Sequence, residues 1–139
     1  NRTLAREAYF LEFASKIAEN VSLPIMTTGG VRRYDVAKQV VDSGVQLVGM
    51  ASALALTPDL PHQWQHDNAV LGHIPVVKWK DKTLSGLATM AMVKQQLRRI
   101  GAGKSPKLSA SPVWALITDQ VRGAKLTKRY KKQHKNEVL

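Results

Sequence analysis

The sequence predicts an α/β fold, and three observations carry the prediction. Helical patterns alternate with short apolar runs in the order helix, strand, helix, strand, short helix. Both apolar runs end in small residues, "TTGG" at 27–30 and "GMAS" at 49–52. One helical segment separates the runs, as in a crossover between parallel strands.

Each element follows from its residues. Over 3–20, Leu4, Ala8, Leu11, Ala14 and Ile17 form one stripe, with Ala5, Phe10 and Phe13 beside it. That spacing predicts a helix, capped by Thr3 with Glu7 near its first turn. "LPIMTT" (23–28) is short, apolar and bounded by Pro24 and the glycines, which predicts a buried strand. "RYDVAKQVVDSG" (33–44) predicts a second helix, with Val36, Val40 and Val41 inward and Gly44 as its cap. "VQLVGM" (45–50) predicts a second buried strand, and "ASALALTPDLP" (51–61) a short helical turn ending at Pro58 and Pro61. Residues 62–82 carry no clear pattern. A helix is expected from Leu84 to Ile100, stopped by Gly101, and then a loop. Ser111 and Pro112 open a last helix, expected to run through "VWALITDQVRG" and to fray in the basic residues beyond.

Composition bounds the function. The chain has 139 residues, enough for one domain with a core, and 44% apolar residues exclude global disorder. It has no cysteine, which excludes disulfides and thiolate metal sites and is compatible with a cytoplasmic setting. No apolar run approaches the roughly 18 residues of a membrane span, so no membrane partner is expected. The chain opens at Asn1 directly into helix-like sequence, so it is expected to be the end of a longer protein. The net charge of +11 is uneven: residues 1–77 carry six Lys/Arg against seven Asp/Glu, and residues 78–139 carry fifteen against three. That asymmetry makes nucleic acid a candidate partner for the second half.

The two strand ends form the candidate site. In a parallel sheet they share one edge, and each is followed by a helix start with unpaired N–H groups. Glycine and other small residues let a phosphate oxygen reach those groups. The candidates are Thr28, Gly29, Gly30, Ala51 and Ser52. In a (β/α)₈ TIM barrel, phosphate commonly sits after strands seven and eight beside a short extra helix, a role "SALAL" would fill.

"REAYFLEFA" (6–14), "PIMTTGGVR" (24–32) and "LVGMASALALTPDLP" (47–61) resemble, in order and spacing, the C-terminal end of the NADH:flavin oxidoreductase (old yellow enzyme) family. The resemblance covers roughly residues 1–100 and implies the last two strands and helices of an FMN-binding TIM barrel. Residues 101–139 would then be a basic helical tail. It implies FMN held through the backbone of Gly29, Gly30, Ala51 and Ser52, NAD(P)H as electron donor, and an activated alkene or similar small-molecule acceptor. Family members carry Gly-Arg where this chain has Ala51-Ser52. Losing a charge-assisted bond of roughly 1.5–3 kcal/mol lowers the expected flavin affinity by about one to two orders of magnitude. Arg32 or Arg33 could compensate. The family's catalytic residues lie on earlier strands and none matches here, so no catalytic residue is assigned and the segment alone is expected to be inactive. Two strands also leave apolar edges bare, so a homo-oligomer or further segments are expected.

Two alternatives stand beside that reading. Dihydrouridine synthases are FMN barrels with a basic helical domain that holds transfer RNA, and "RGAKLTKRYKKQHK" (122–135) has seven Lys/Arg in fourteen residues. A non-catalytic barrel remnant binding nucleic acid through that tail is the other. His62 and His66 lie four apart but lack a third metal ligand. Thr27 suits a strand as well as a ligand, Met90 and Met92 suit packing, and Trp64, Trp79 and Trp114 are expected to seal helices.

Overall fold

The computed structural model describes residues 10–134. The expected Thr3 cap and Glu7 lie outside them. The elements are α1 (Leu11–Ala18), β1 (Met26–Thr28), α2 (Tyr34–Asp42), β2 (Leu47–Gly49), α3 (Ser52–Leu56), α4 (Leu60–Gln63), α5 (Lys82–Gly101) and α6 (Pro112–Gln133). The fold is mixed α/β with a helical C-terminal part. The described residues divide into two compact units, 10–74 and 75–134.

In the first unit β1 and β2 pair in parallel, with Met26 opposite Leu47, Thr27 opposite Val48 and Thr28 opposite Gly49. The strands are shorter than the apolar runs, and local bonding shows why. The Ile25 carbonyl accepts from both Gln46 and Leu47 N–H, while the Ile25 N–H donates to the Gln46 side chain. The regular ladder therefore starts only at Met26. Alternation puts Thr27 and Val48 on the helix-covered face, where Thr27 is 4% exposed and Val48 packs on the core. The other face carries Met26 and Leu47, 62% and 53% exposed. The expectation of fully buried strands is thus corrected: burial is one-sided, because only one face meets helices.

The core of this unit joins Ala14, Val31, Val36, Val40 and Val45, with Leu11, Ile25 and Met50 packed against them. Burying each valine contributes about 1.5–3 kcal/mol. Val36 and Val40 lie four apart on one face of α2. Val41, expected inward, is exposed, because it is rotated 100° from Val40. Gly44, at φ +88°, completes the turn after α2 as the sequence predicts. A second cluster of Ala53, Leu60 and Trp64 seats α3 and α4. Trp64 donates from Nε1 to the Val70 carbonyl at 2.8 Å and meets the Tyr34 ring edge-on, 6.0 Å between centroids.

The second unit is a helical hairpin. Asp81 caps α5 by accepting from Leu84 N–H, and Ser111 caps α6 with Pro112 in its first turn. α5 ends at Gly101, within one residue of the expected stop, and the chain turns at Gly103, φ +68°. α6 does not fray after Gly123: it continues to Gln133. Ala91, Met92 and Ala115 form the hairpin core, and the buried Gln96 side chain accepts from Lys107 N–H at 2.7 Å. Asp119 of α6 bridges Lys94 and Arg98 of α5, each at 3.0 Å. Met92 packs as expected, while Met90 is exposed. Trp114, at 61% exposed, seals nothing, unlike Trp64.

Candidate functional site

The parallel register decides where the candidate residues fall. Because Thr28 stands opposite Gly49, residues 29–30 and 50–52 leave the sheet at one edge. Thr28 Oγ1 donates to the Gly49 carbonyl at 3.0 Å, tying the two strand ends together. A Cβ on Gly49 would lie 3.0 Å from Thr28 Cβ, so a side chain there would crowd this junction. Gly29 is buried and Gly30 exposed at the rim. Gly30 has φ +75°, a conformation that L side chains rarely adopt.

Across the rim, Ala51 is exposed and Ser52 half-buried at the start of α3. The helix closes with Ala55 N–H on the Ala51 carbonyl, leaving the earlier N–H groups of the turn without intrahelical acceptors. The rim is therefore a backbone surface. Its hydroxyls belong to Thr28 and Ser52, and Thr28 already spends its proton within the fold. Thr27, weighed beside Thr28 in the sequence, is buried on the opposite face and takes no part.

One contact steadies this edge from below. Gly72 N–H donates to the Arg32 carbonyl at 2.9 Å, anchoring the segment that follows the two glycines. A Cβ at Gly72 would stand 2.6 Å from Leu60 Cδ2 and 3.0 Å from Ala53 Cβ, so the two strands of chain touch there without side-chain spacing. Sequence reasoning missed Gly72, which sits in the stretch without pattern. Close by, Thr57 Oγ1 accepts from His73 N–H at 3.1 Å and meets His73 Nδ1 at 3.2 Å, so that imidazole is held within the fold. A cleft of about 370 Å³ is lined by Arg33, Tyr34, Asp35 and residues 68–71. His62 and His66 stack edge to face at 5.2 Å, and among the described residues no group of three or more metal-ligating side chains forms.

Comparison with known proteins gives the family. Residues 3–95 match the model of the family described as "Histidine biosynthesis protein". That is about two thirds of the chain, so the chain belongs to this TIM-barrel family, whose members are enzymes. This overturns the resemblance to the NADH:flavin oxidoreductases and the activity inferred from it. The physical reason is that the blocks carrying that resemblance, strand–Gly-Gly and strand–small residues–short helix, are backbone features that barrels of different chemistry share. A 66-residue stretch, 48% of this chain, is 32% identical to the 4,4'-dithiodibutanoate disulfide reductase of Rhodococcus erythropolis. It spans 16% of that protein's length. No solved structure matches the chain. Among the described residues no helix is long and apolar enough to cross a membrane.

Proposed function

We propose that β1 and β2 are the last two strands of a TIM barrel and that their rim holds the phosphate of a phosphorylated small molecule. The observation that carries this is the register of Thr28 on Gly49, which gathers Gly29, Gly30, Ala51 and Ser52 at one edge. Membership of a TIM-barrel enzyme family supports it, since such barrels commonly bind phosphate after strands seven and eight.

In this reading the chain's own contribution is binding and orientation. Backbone N–H groups of Gly29–Gly30 and of 51–52 would donate to phosphate oxygens, and Ser52 Oγ would add one hydroxyl. Gly30 would keep the approach open. FMN and sugar phosphates are phosphate monoesters whose oxygens would fit this donor set. No residue of this chain is assigned a catalytic role.

The test compares each phosphorylated ligand with its dephosphorylated form by calorimetry on the full-length protein: FMN against riboflavin, and a pentose phosphate against the pentose. At least one pair should differ at least tenfold in favour of the phosphate ester, about 1.4 kcal/mol or more. Gly30→Val should remove the preference, because the left-handed backbone then costs about 1–2 kcal/mol and the approach is blocked. Equal binding within every pair would refute the proposal.

A further inference from the structure

The second unit holds a surface that the rim does not use. A cleft of about 510 Å³ is lined by Gln95 and Arg98 of α5 and by Trp114, Ile117, Val121 and Lys125 among the residues of α6. Its apolar side is open: Trp114 is 61% exposed, and Ile117 and Val121 about half exposed. Every α6 residue from 120 to 133 is exposed.

The cations of α6 are not scattered. At 100° per residue, Arg122, Lys125, Lys128, Arg129 and Lys132 fall within one arc of about 120° that also contains Trp114. The arc runs about 27 Å from Trp114 to Lys132, and its cations Arg122, Lys125, Arg129 and Lys132 are three or four residues apart, with Lys128 beside Arg129. The helix has one carboxylate, Asp119, which lies off this arc and is committed to Lys94 and Arg98. Leu126 and Tyr130 fall outside this arc, about 40° and 80° past its Arg122 edge, so beyond Val121 no large apolar side chain is interleaved among the cations.

We propose that this face binds single-stranded nucleic acid, with a base against Trp114 in the cleft and the phosphates along Arg122, Lys125, Arg129 and Lys132. The argument is charge and shape complementarity. A flat exposed indole beside guanidinium groups is a stacking platform, and the cation ladder leading from it tracks a phosphate backbone. An anionic membrane would need apolar residues interleaved with the cations, and an acidic protein would need no ring platform at the head of the ladder.

The test is fluorescence anisotropy of a labelled oligothymidylate and oligouridylate of about fifteen nucleotides, titrated with the full chain across a salt series. Four phosphate contacts, or five with Lys128, predict a slope of log Kobs on log[salt] of about −3 to −3.5. The combined variant R122Q/K125Q/R129Q/K132Q should bring the slope near zero, while K131Q, off the arc, leaves it nearly unchanged. Trp114→Ala should weaken binding roughly five- to hundredfold with the slope kept, and Trp114→Phe should recover most of it. Circular dichroism checks that each variant keeps its helices. Parent-like binding by Trp114→Ala would overturn the proposal, as would competition by polyglutamate or phosphatidylserine vesicles equal to that of the oligonucleotides per charge.

Discussion

Gly72→Ala adds one carbon where the structure has no room for it. The new Cβ would stand 2.6 Å from Leu60 Cδ2, 3.0 Å from Ala53 Cβ and 3.3 Å from the Arg32 carbonyl oxygen. Leu60 cannot swing aside freely, because it is fully buried in the cluster with Ala53 and Trp64. Ala53 has no rotamer to change, and the Arg32 carbonyl is held by the Gly72 N–H itself. The cost is therefore steric overpacking, about 1–3 kcal/mol. For a unit of this size that lowers the melting temperature by roughly 5–20 °C. The assay is thermal unfolding of the full chain by circular dichroism, in a cycle with Leu60→Ala. Truncating Leu60 removes the 2.6 Å clash, so Gly72→Ala should cost less than half as much in that background. A parent-like melt of Gly72→Ala, or strict additivity in the cycle, would refute the reasoning. Since Gly72 anchors Arg32, two residues beyond Gly30, the same variant should also weaken any phosphate-dependent binding at the rim.

Two further outcomes follow from hydrogen bonds. Lys94 and then Arg98, donating to Asp119, hold its carboxyl below the ordinary carboxylate range against the opposing pull of burial. A lowered folded value means that the stabilisation is present above the unfolded pKa near 3.9 and is lost as pH falls through the folded value. The helical hairpin should therefore lose stability below about pH 4, and Asp119→Asn should cost about 1–2 kcal/mol at neutral pH and flatten that acid limb in a pH series of urea melts. Trp64→Phe keeps most of the packing but leaves the Val70 carbonyl without its 2.8 Å donor. About 1–2 kcal/mol should be lost in denaturant unfolding, and an unchanged midpoint would show that the carbonyl finds water.

Much of the rim was legible in the chain. An apolar run stopped by Gly29–Gly30 and another stopped by small residues at 49–52 marked two strand ends, and Val36 with Val40 marked the helix between them. Which barrel family this was could not be read the same way. The blocks that suggested one family describe strand ends stopped by small residues, a pattern common to barrels that handle different ligands. Gly72 was invisible for another reason: a glycine in an unpatterned stretch looks like a loop until Leu60 and Ala53 are seen to fill the space its side chain would occupy.

The amino-acid pattern by itself determined the order of the elements, the capping of the last helix by Ser111 and Pro112, and the concentration of positive charge in the second half. These depend on neighbours within a few residues, so periodicity and local hydrogen bonding suffice. The tertiary structure decided the rest. It set Thr28 against Gly49, turned Thr27 inward and Met26 outward, and buried Trp64 while exposing Trp114. Each of those outcomes depends on residues far apart in sequence meeting across a sheet or a helix pair, and local spacing does not encode which surfaces meet.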